Sequence, residues 1–167
     1  MTSSLTIPIS TSHGEYFIKL TAIDPLMVVS KDDLSLFANC TIYDILLTCK
    51  YRDVEVDMEA MTHISAELQR ILNVNPNIIL YFFCDFDAKT IIIRPRDKRI
   101  PPQEFRSRLF SLLFDRAVGK DNRNHFINRK YVVNIGEDGD AYIHLIFPMH
   151  LTPHADLLAS TIENQSK

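Results

Sequence analysis

Residues 78–84 constrain the fold more than any other part of the sequence. This run reads Ile-Ile-Leu-Tyr-Phe-Phe-Cys and contains no charged side chain. A short, continuous apolar run predicts a strand that is covered on both faces, because exposing it to water would be costly. The chain therefore needs a sheet with packing layers on both sides, and residues 78–84 are predicted to lie at its centre.

Shorter β-like runs lie on either side of this strand in the sequence. Two hairpins are predicted, one from residues 5–9 and 16–20 around Thr-Ser-His-Gly, and one from residues 129–135 and 141–147 around Gly-Glu-Asp-Gly. The remaining candidate strands cover residues 26–29, 41–50 and 90–93. Residues 34–47 also fit a helical turn, so both alternatives stay open for that stretch.

Three helices are predicted from periodicity and from their start signals. Asp57 is a candidate N-cap for a helix over residues 58–72, whose inward positions are Met61, Ile64, Leu68, Ile71 and Leu72. A second helix begins at Pro101-Pro102 and ends near Gly119, with a packed face of Phe105, Leu109, Leu112, Leu113 and Ala117. A third begins at Thr152-Pro153.

These elements predict an α+β fold. We expect an antiparallel or mixed sheet of about five to seven strands with three helices packed on it. The length of 167 residues fits a single domain over residues 1–167, with frayed termini at about 1–4 and 163–167.

Composition indicates the compartment. Cys40, Cys49 and Cys84 are odd in number and lie in apolar stretches, which favours reduced thiols over a disulfide framework. The first residues lack the features of a signal peptide, and no apolar run approaches the length that spans a bilayer. We therefore expect a cytoplasmic protein that does not enter the membrane.

The sequence lacks the motifs of the common nucleotide-binding and hydrolase folds. The chain has only four glycines, and neither a phosphate-binding loop, a dinucleotide-binding fingerprint nor a nucleophile elbow is present. His144, His150 and His154 are close in sequence, but Pro153 prevents a shared helix face, so solvated or capping histidines are expected rather than a metal site. No cofactor and no catalytic residue is predicted.

Charge is distributed unevenly along the chain. Between residues 89 and 130 there are twelve lysines and arginines against four acidic residues, a local charge of +8, whereas the rest of the chain sums to −11. Arginine suits carboxylate and phosphate groups, and an uneven charge can steer an oppositely charged partner. The predicted partner-binding residues are Arg94, Arg96, Lys98, Arg99, Arg106 and Arg108.

Two segments resemble a bacterial family of unknown function. They are Leu80-Tyr81-Phe82-Phe83-Cys84-Asp85, and Arg106-Ser107-Arg108-Leu109-Phe110 followed by Leu113-Phe114. Members of that family carry a tyrosine-x-cysteine-aspartate strand end and then an arginine-rich helix. The resemblance extends from about Tyr16 to Ile162, and it implies a small bacterial domain without implying any catalytic residue.

Three functional hypotheses follow. The first is a small bacterial cytoplasmic interaction module, not an enzyme, that binds a protein with an acidic surface through the basic segment. The second is a nucleic-acid-binding protein that uses the same arginines. The third is an enzyme centred on Cys84 and Asp85, with the distant His125 as a candidate base.

Overall fold

The computed structural model describes residues 3–54, 57–84, 99–118, 125–134 and 136–165. Within them the chain has an α+β fold of six strands and three α-helices. The strands are β1 (Ser4–Ser10), β2 (Gly14–Ile23), β3 (Thr41–Arg52), β4 (Ile78–Cys84), β5 (Phe126–Asn134) and β6 (Asp140–Pro148). The helices are α1 (Met58–Val74), α2 (Pro102–Val118) and α3 (Thr152–Gln165). The predicted class is therefore confirmed.

The strands form one mixed sheet in the order β1-β2-β3-β4-β6-β5. Strand β4 pairs in parallel with β3 and antiparallel with β6, and the other neighbours are antiparallel. A parallel step needs a crossover connection, and α1 provides it between β3 and β4. Ile79 and Leu80 are fully buried, on opposite sheet faces, which confirms β4 as a central strand covered on both sides.

Two layers cover the sheet. Helices α1 and α2 pack on one face, where alternate residues of β4, among them Leu80 and Phe82, meet them. Helix α3 covers part of the other face, together with the short 3-10 turns Pro25–Met27 and Lys31–Phe37 that follow β2. The sheet therefore has two differently covered faces, one carrying α2 and the other carrying α3.

Asp57 is the N-cap of α1, as the sequence predicts, because its carboxylate accepts a hydrogen bond from the Ala60 amide at 3.0 Å. The same carboxylate accepts hydrogen bonds from the Thr11 and Tyr16 hydroxyls at 2.6 and 2.9 Å. Burial alone would raise the pKa of Asp57, yet these hydrogen bonds hold it below its usual value. The predicted β1–β2 hairpin, which is confirmed, is thereby joined to the start of α1.

Several predicted boundaries change in the structure. Residues 26–29 are not a strand, because the Asp24 side chain accepts a hydrogen bond from the Leu26 amide and begins the 3-10 turn Pro25–Met27. The strand predicted over residues 41–50 is confirmed as β3. The strand predicted over residues 90–93 lies outside the described residues. Strand β1 begins at Ser4, and α3 continues to Gln165.

Candidate functional site

The predicted basic surface lies only partly within the described residues. Arg94, Arg96 and Lys98 are outside them. Arg99 is exposed just before α2, and Arg108 is exposed on α2 itself. The part of the surface that can be described is therefore the beginning and the outer side of α2.

Arg106 has a different position from the predicted one. Its side chain is buried, with 8% of its surface exposed, and it lies on the inner side of α2 near the buried Gln103 and Ser107. This burial does not fit the prediction that Arg106 contacts a partner at the surface. The physical reason is the rotation of α2 about its own axis, which turns residues 103, 106 and 107 toward the sheet.

The packed face of α2 also differs from the predicted one. Leu113 is fully buried, whereas its neighbour Leu112 is 60% exposed. Phe110 is buried and stacks on Phe82 of β4, with ring centroids 4.0 Å apart. The prediction that Leu112 anchors α2 to the sheet is therefore wrong, and the packed face is rotated by about one residue, or roughly 100°.

A buried hydrogen-bond network lies on the inner side of α2 together with these apolar contacts. His144 of β6 lies between Ser107 of α2, whose Oγ is 2.7 Å from Nε2, and Asn128 of β5, whose Oδ1 is 2.8 Å from Nδ1. Asn128 also donates to the Ser111 hydroxyl at 3.4 Å. Ser107 and Ser111 are one helical turn apart, so the network joins two turns of α2 to the β5–β6 hairpin. We call these four residues the α2 network.

His144 is neutral within the α2 network. An amide oxygen can only accept, so Nδ1 of His144 donates to Asn128 and Nε2 accepts from the Ser107 hydroxyl. Burial, and then the positive charge of Lys130, lower the pKa of His144 to about 4. His144 is fully buried, so the expectation of a solvated or capping histidine is wrong for this residue.

Chemically, the α2 network has the order nucleophile, base and orienting group that is found in acyl-transfer enzymes. Only 2% of the Ser107 surface is exposed, so a substrate cannot contact its hydroxyl in this arrangement. A base whose pKa is about 4 is also far from the value near neutrality that favours proton transfer. The contribution supported by this geometry is positional, because the network joins the inner side of α2 to β5 and β6.

The outward side of α2 presents an exposed stripe, of which only Arg108 was a predicted partner-binding residue. Arg108, Leu112 and Arg116 are exposed and follow one another at intervals of four residues, so they lie along one side of the helix over about 12 Å. Arg108 forms an ion pair with Glu104 one turn earlier. The four-residue spacing is visible in the sequence, but Leu112 was predicted to pack on the sheet and not to be exposed. We call these three residues the outer stripe.

The other candidate residues are Cys84, Asp85, His125, His150 and His154, and His125 is exposed directly before β5. Cys84 is fully buried, and Asp85 lies outside the described residues. His150 is exposed and lies within hydrogen-bond distance of Asn77. His154 of α3 donates a hydrogen bond from Nε2 to the carbonyl of Leu36. Among the described residues, no group of three or more histidine, cysteine, aspartate or glutamate side chains is arranged to hold a metal ion. None of the described helices is long and apolar enough to span a membrane.

Comparison with known proteins adds no further assignment. The chain matches no family model, no curated protein and no solved structure. The resemblance to a bacterial family of unknown function stays a prediction.

Proposed function

We propose that this chain is a non-enzymatic interaction module that binds a protein with an acidic surface through the outer stripe. The observation that carries the proposal is Leu112, a large apolar side chain that is 60% exposed and lies between two exposed arginines. Interfaces commonly have this composition, with an apolar centre and a charged rim.

The energetics assign different roles to these residues. Burying a leucine side chain stabilises a complex by about 1.5–3 kcal/mol, so Leu112 would supply affinity. Arg108 and Arg116 would chiefly raise the association rate, because exposed charges steer an oppositely charged partner more than they hold it. Arg99 extends the positive surface beyond the start of α2.

A protein partner fits this surface better than a nucleic acid. Single-stranded nucleic acids are usually held by exposed aromatic side chains on which the bases stack. Among the described residues, the exposed large aromatic side chains are Tyr51 on β3 and Phe83 on β4, neither of which belongs to α2. An exposed leucine between arginines instead suits an acidic protein surface with an apolar patch.

We place this interaction in the bacterial cytoplasm. The proposal rests on the resemblance to a bacterial family and on Cys40 and Cys49, which are free cysteines. Free thiols are the usual state in a reducing compartment.

Photo-crosslinking from position 112 in living cells tests the proposal. A photoreactive amino acid in place of Leu112 should form adducts with one acidic protein, which mass spectrometry identifies. With that protein purified, Leu112→Ala should weaken binding by about 1.5 kcal/mol, roughly tenfold, without changing the unfolding midpoint. Arg116→Glu should slow association and reduce its dependence on salt.

Two matched variants serve as controls. Leu26→Ala removes an equally large leucine that is 52% exposed on the α3 side, and Lys31→Glu reverses an exposed charge on that side. Both should leave binding unchanged. Adducts with RNA or DNA, or equal losses from Leu112→Ala and Leu26→Ala, would contradict the proposal.

A further inference from the structure

A cavity of about 170 Å³ lies between the sheet and α3, on the face opposite α2. Its floor consists of buried side chains from three elements, Ile42 of β3, Leu145 of β6 and Leu158 of α3. The cavity is open to the surface, because its remaining lining residues are half-buried. These residues are Ile23, Val28, Tyr81, Thr161 and Ile162. The lining is therefore apolar apart from two hydroxyl groups.

Asp44 lies beside this cavity. It follows Ile42 by two positions on β3, so both side chains are on the same face of the sheet. Its register partner on β4 is Tyr81, and paired strands are only about 4.8 Å apart. Burial, and then the negative charge of Asp44, raise the pKa of Tyr81 to about 12, which reports the same proximity.

The Asp44 carboxylate has no protein partner in the described part of the chain. It is half-buried, and neither an ion pair nor a hydrogen bond joins it to another described residue. Burial raises the pKa of Asp44, because the ionised carboxylate has lost part of its hydration. A cation that binds beside Asp44 would compensate for that lost hydration.

We propose that this cavity binds a small aromatic amine, with its ring over Ile42, Leu145 and Leu158 and its ammonium group at Asp44. The size supports a single ring, because an apolar cavity of about 150 Å³ is known to accommodate benzene. The ammonium group donates to the carboxylate. The hydroxyl of Tyr81, the lining residue that pairs with Asp44 in the sheet, accepts a second hydrogen bond.

A short arm between ring and ammonium matches this arrangement. Asp44 is beside the cavity and not among its lining residues, so the charged group must extend beyond the ring. An arylalkylamine of the size of 2-phenylethylamine has this shape. A carboxylate-bearing analogue would place two negative charges together, and it should be excluded.

Titration with matched probes tests the proposal. The probes are 2-phenylethylamine and its uncharged analogue 2-phenylethanol. Binding of each probe is monitored near neutral pH through the amide chemical shifts of the isotope-labelled protein. A hydrogen bond between charged groups is stronger than a neutral one, so the amine should bind about tenfold more tightly than the alcohol. The shifts should centre on the α3 residues Leu158 and Ile162.

Asp44→Asn should remove the advantage of the amine while leaving binding of the alcohol unchanged, because the apolar lining is intact. Asp32→Asn is the matched control, since it removes one exposed acidic charge from the 3-10 turn on the same side of the molecule. In that control the tenfold preference should persist. Spectra of both variants report whether the fold is retained.

Four results would overturn the proposal. They are equal affinity for the two probes, a preference that survives in Asp44→Asn, shifts centred away from α3, and no saturable shift with either probe. Leu112→Ala should leave amine binding unchanged, so failure at this cavity and failure of the proposed α2 interface are distinguishable.

Discussion

Mild acid should destabilise this protein through a single residue. His144 is fully buried in the α2 network and holds a neutral imidazole, because both of its ring nitrogens are hydrogen-bonded and no solvent reaches it. In the unfolded chain the same imidazole would accept a proton near pH 6.5. The unfolded state therefore binds more protons than the folded state as the pH falls.

The magnitude follows from the two pKa values. The pKa of His144 is about 4 in the fold and 6.5 in its ordinary state. One pKa unit corresponds to about 1.4 kcal/mol, so the free energy of unfolding should fall by about 3 kcal/mol between pH 6.5 and pH 4. The contribution of neutral His144 should be complete above pH 6.5 and should be lost progressively as the pH falls to about 4.

The carboxyl groups of the buried Asp57 and the half-buried Asp44 act in other ways. The pKa of Asp57 is lowered, so its stabilising contribution begins to fall only as the pH drops through the ordinary aspartate value of 3.8. The pKa of Asp44 is raised by burial, so protonation of Asp44 opposes the loss from His144. A comparison between matched variants is therefore needed to isolate the histidine.

Urea unfolding of the wild-type protein and of His144→Gln, at intervals between about pH 7 and pH 4, provides that comparison. The variant should be less stable at neutral pH, yet its free energy of unfolding should change less with pH, and the difference in slope should approach one proton. Nuclear magnetic resonance of the imidazole reports the folded pKa directly. Identical slopes, or a folded His144 that titrates near pH 6.5, would refute the reasoning.

Other substitutions test the fold. Leu113→Ala should lower the free energy of unfolding by about 2–5 kcal/mol, whereas Leu112→Ala should change it by less than about 0.5 kcal/mol; similar urea midpoints would contradict the rotation of α2. Gly14→Ala should lower the thermal midpoint, because a Cβ would lie 2.4 Å from the Tyr51 carbonyl oxygen, and an unchanged midpoint would argue against that close approach. Asp57→Ala should cost about 2 kcal/mol in urea unfolding at neutral pH, through loss of the helix cap and of two hydroxyl partners, and a loss below about 0.5 kcal/mol would show that these hydrogen bonds contribute little.

Elements with a strong local signal were predictable from the sequence. The uncharged run Ile78–Cys84 can be stable only as a covered strand. In the structure it lies at the middle of the sheet, parallel to β3 and antiparallel to β6. Asp57 satisfies a free amide at a helix start, which is a property of neighbouring residues. The Thr-Ser-His-Gly and Gly-Glu-Asp-Gly turns likewise follow from local backbone preferences.

The rotation of α2 could not be predicted in this way. Its apolar residues occur on more than one side, while Gln103, Arg106 and Ser107 are buried, so periodicity alone does not distinguish Leu112 from Leu113. Likewise, the sequence of β6 does not reveal that His144 is buried rather than solvated.

Tertiary structure decided both matters through contacts distant in sequence. His144 meets Ser107 across 37 positions and Asn128 across 16, and these hydrogen bonds exist only after β5, β6 and α2 have come together. The cavity beside Asp44 has the same origin, since its floor combines residues of β3, β6 and α3. Local sequence determines which segments become strands and helices, because backbone preferences and capping act over a few residues. Which sides of those segments meet depends on packing and on satisfying buried polar groups across the whole chain.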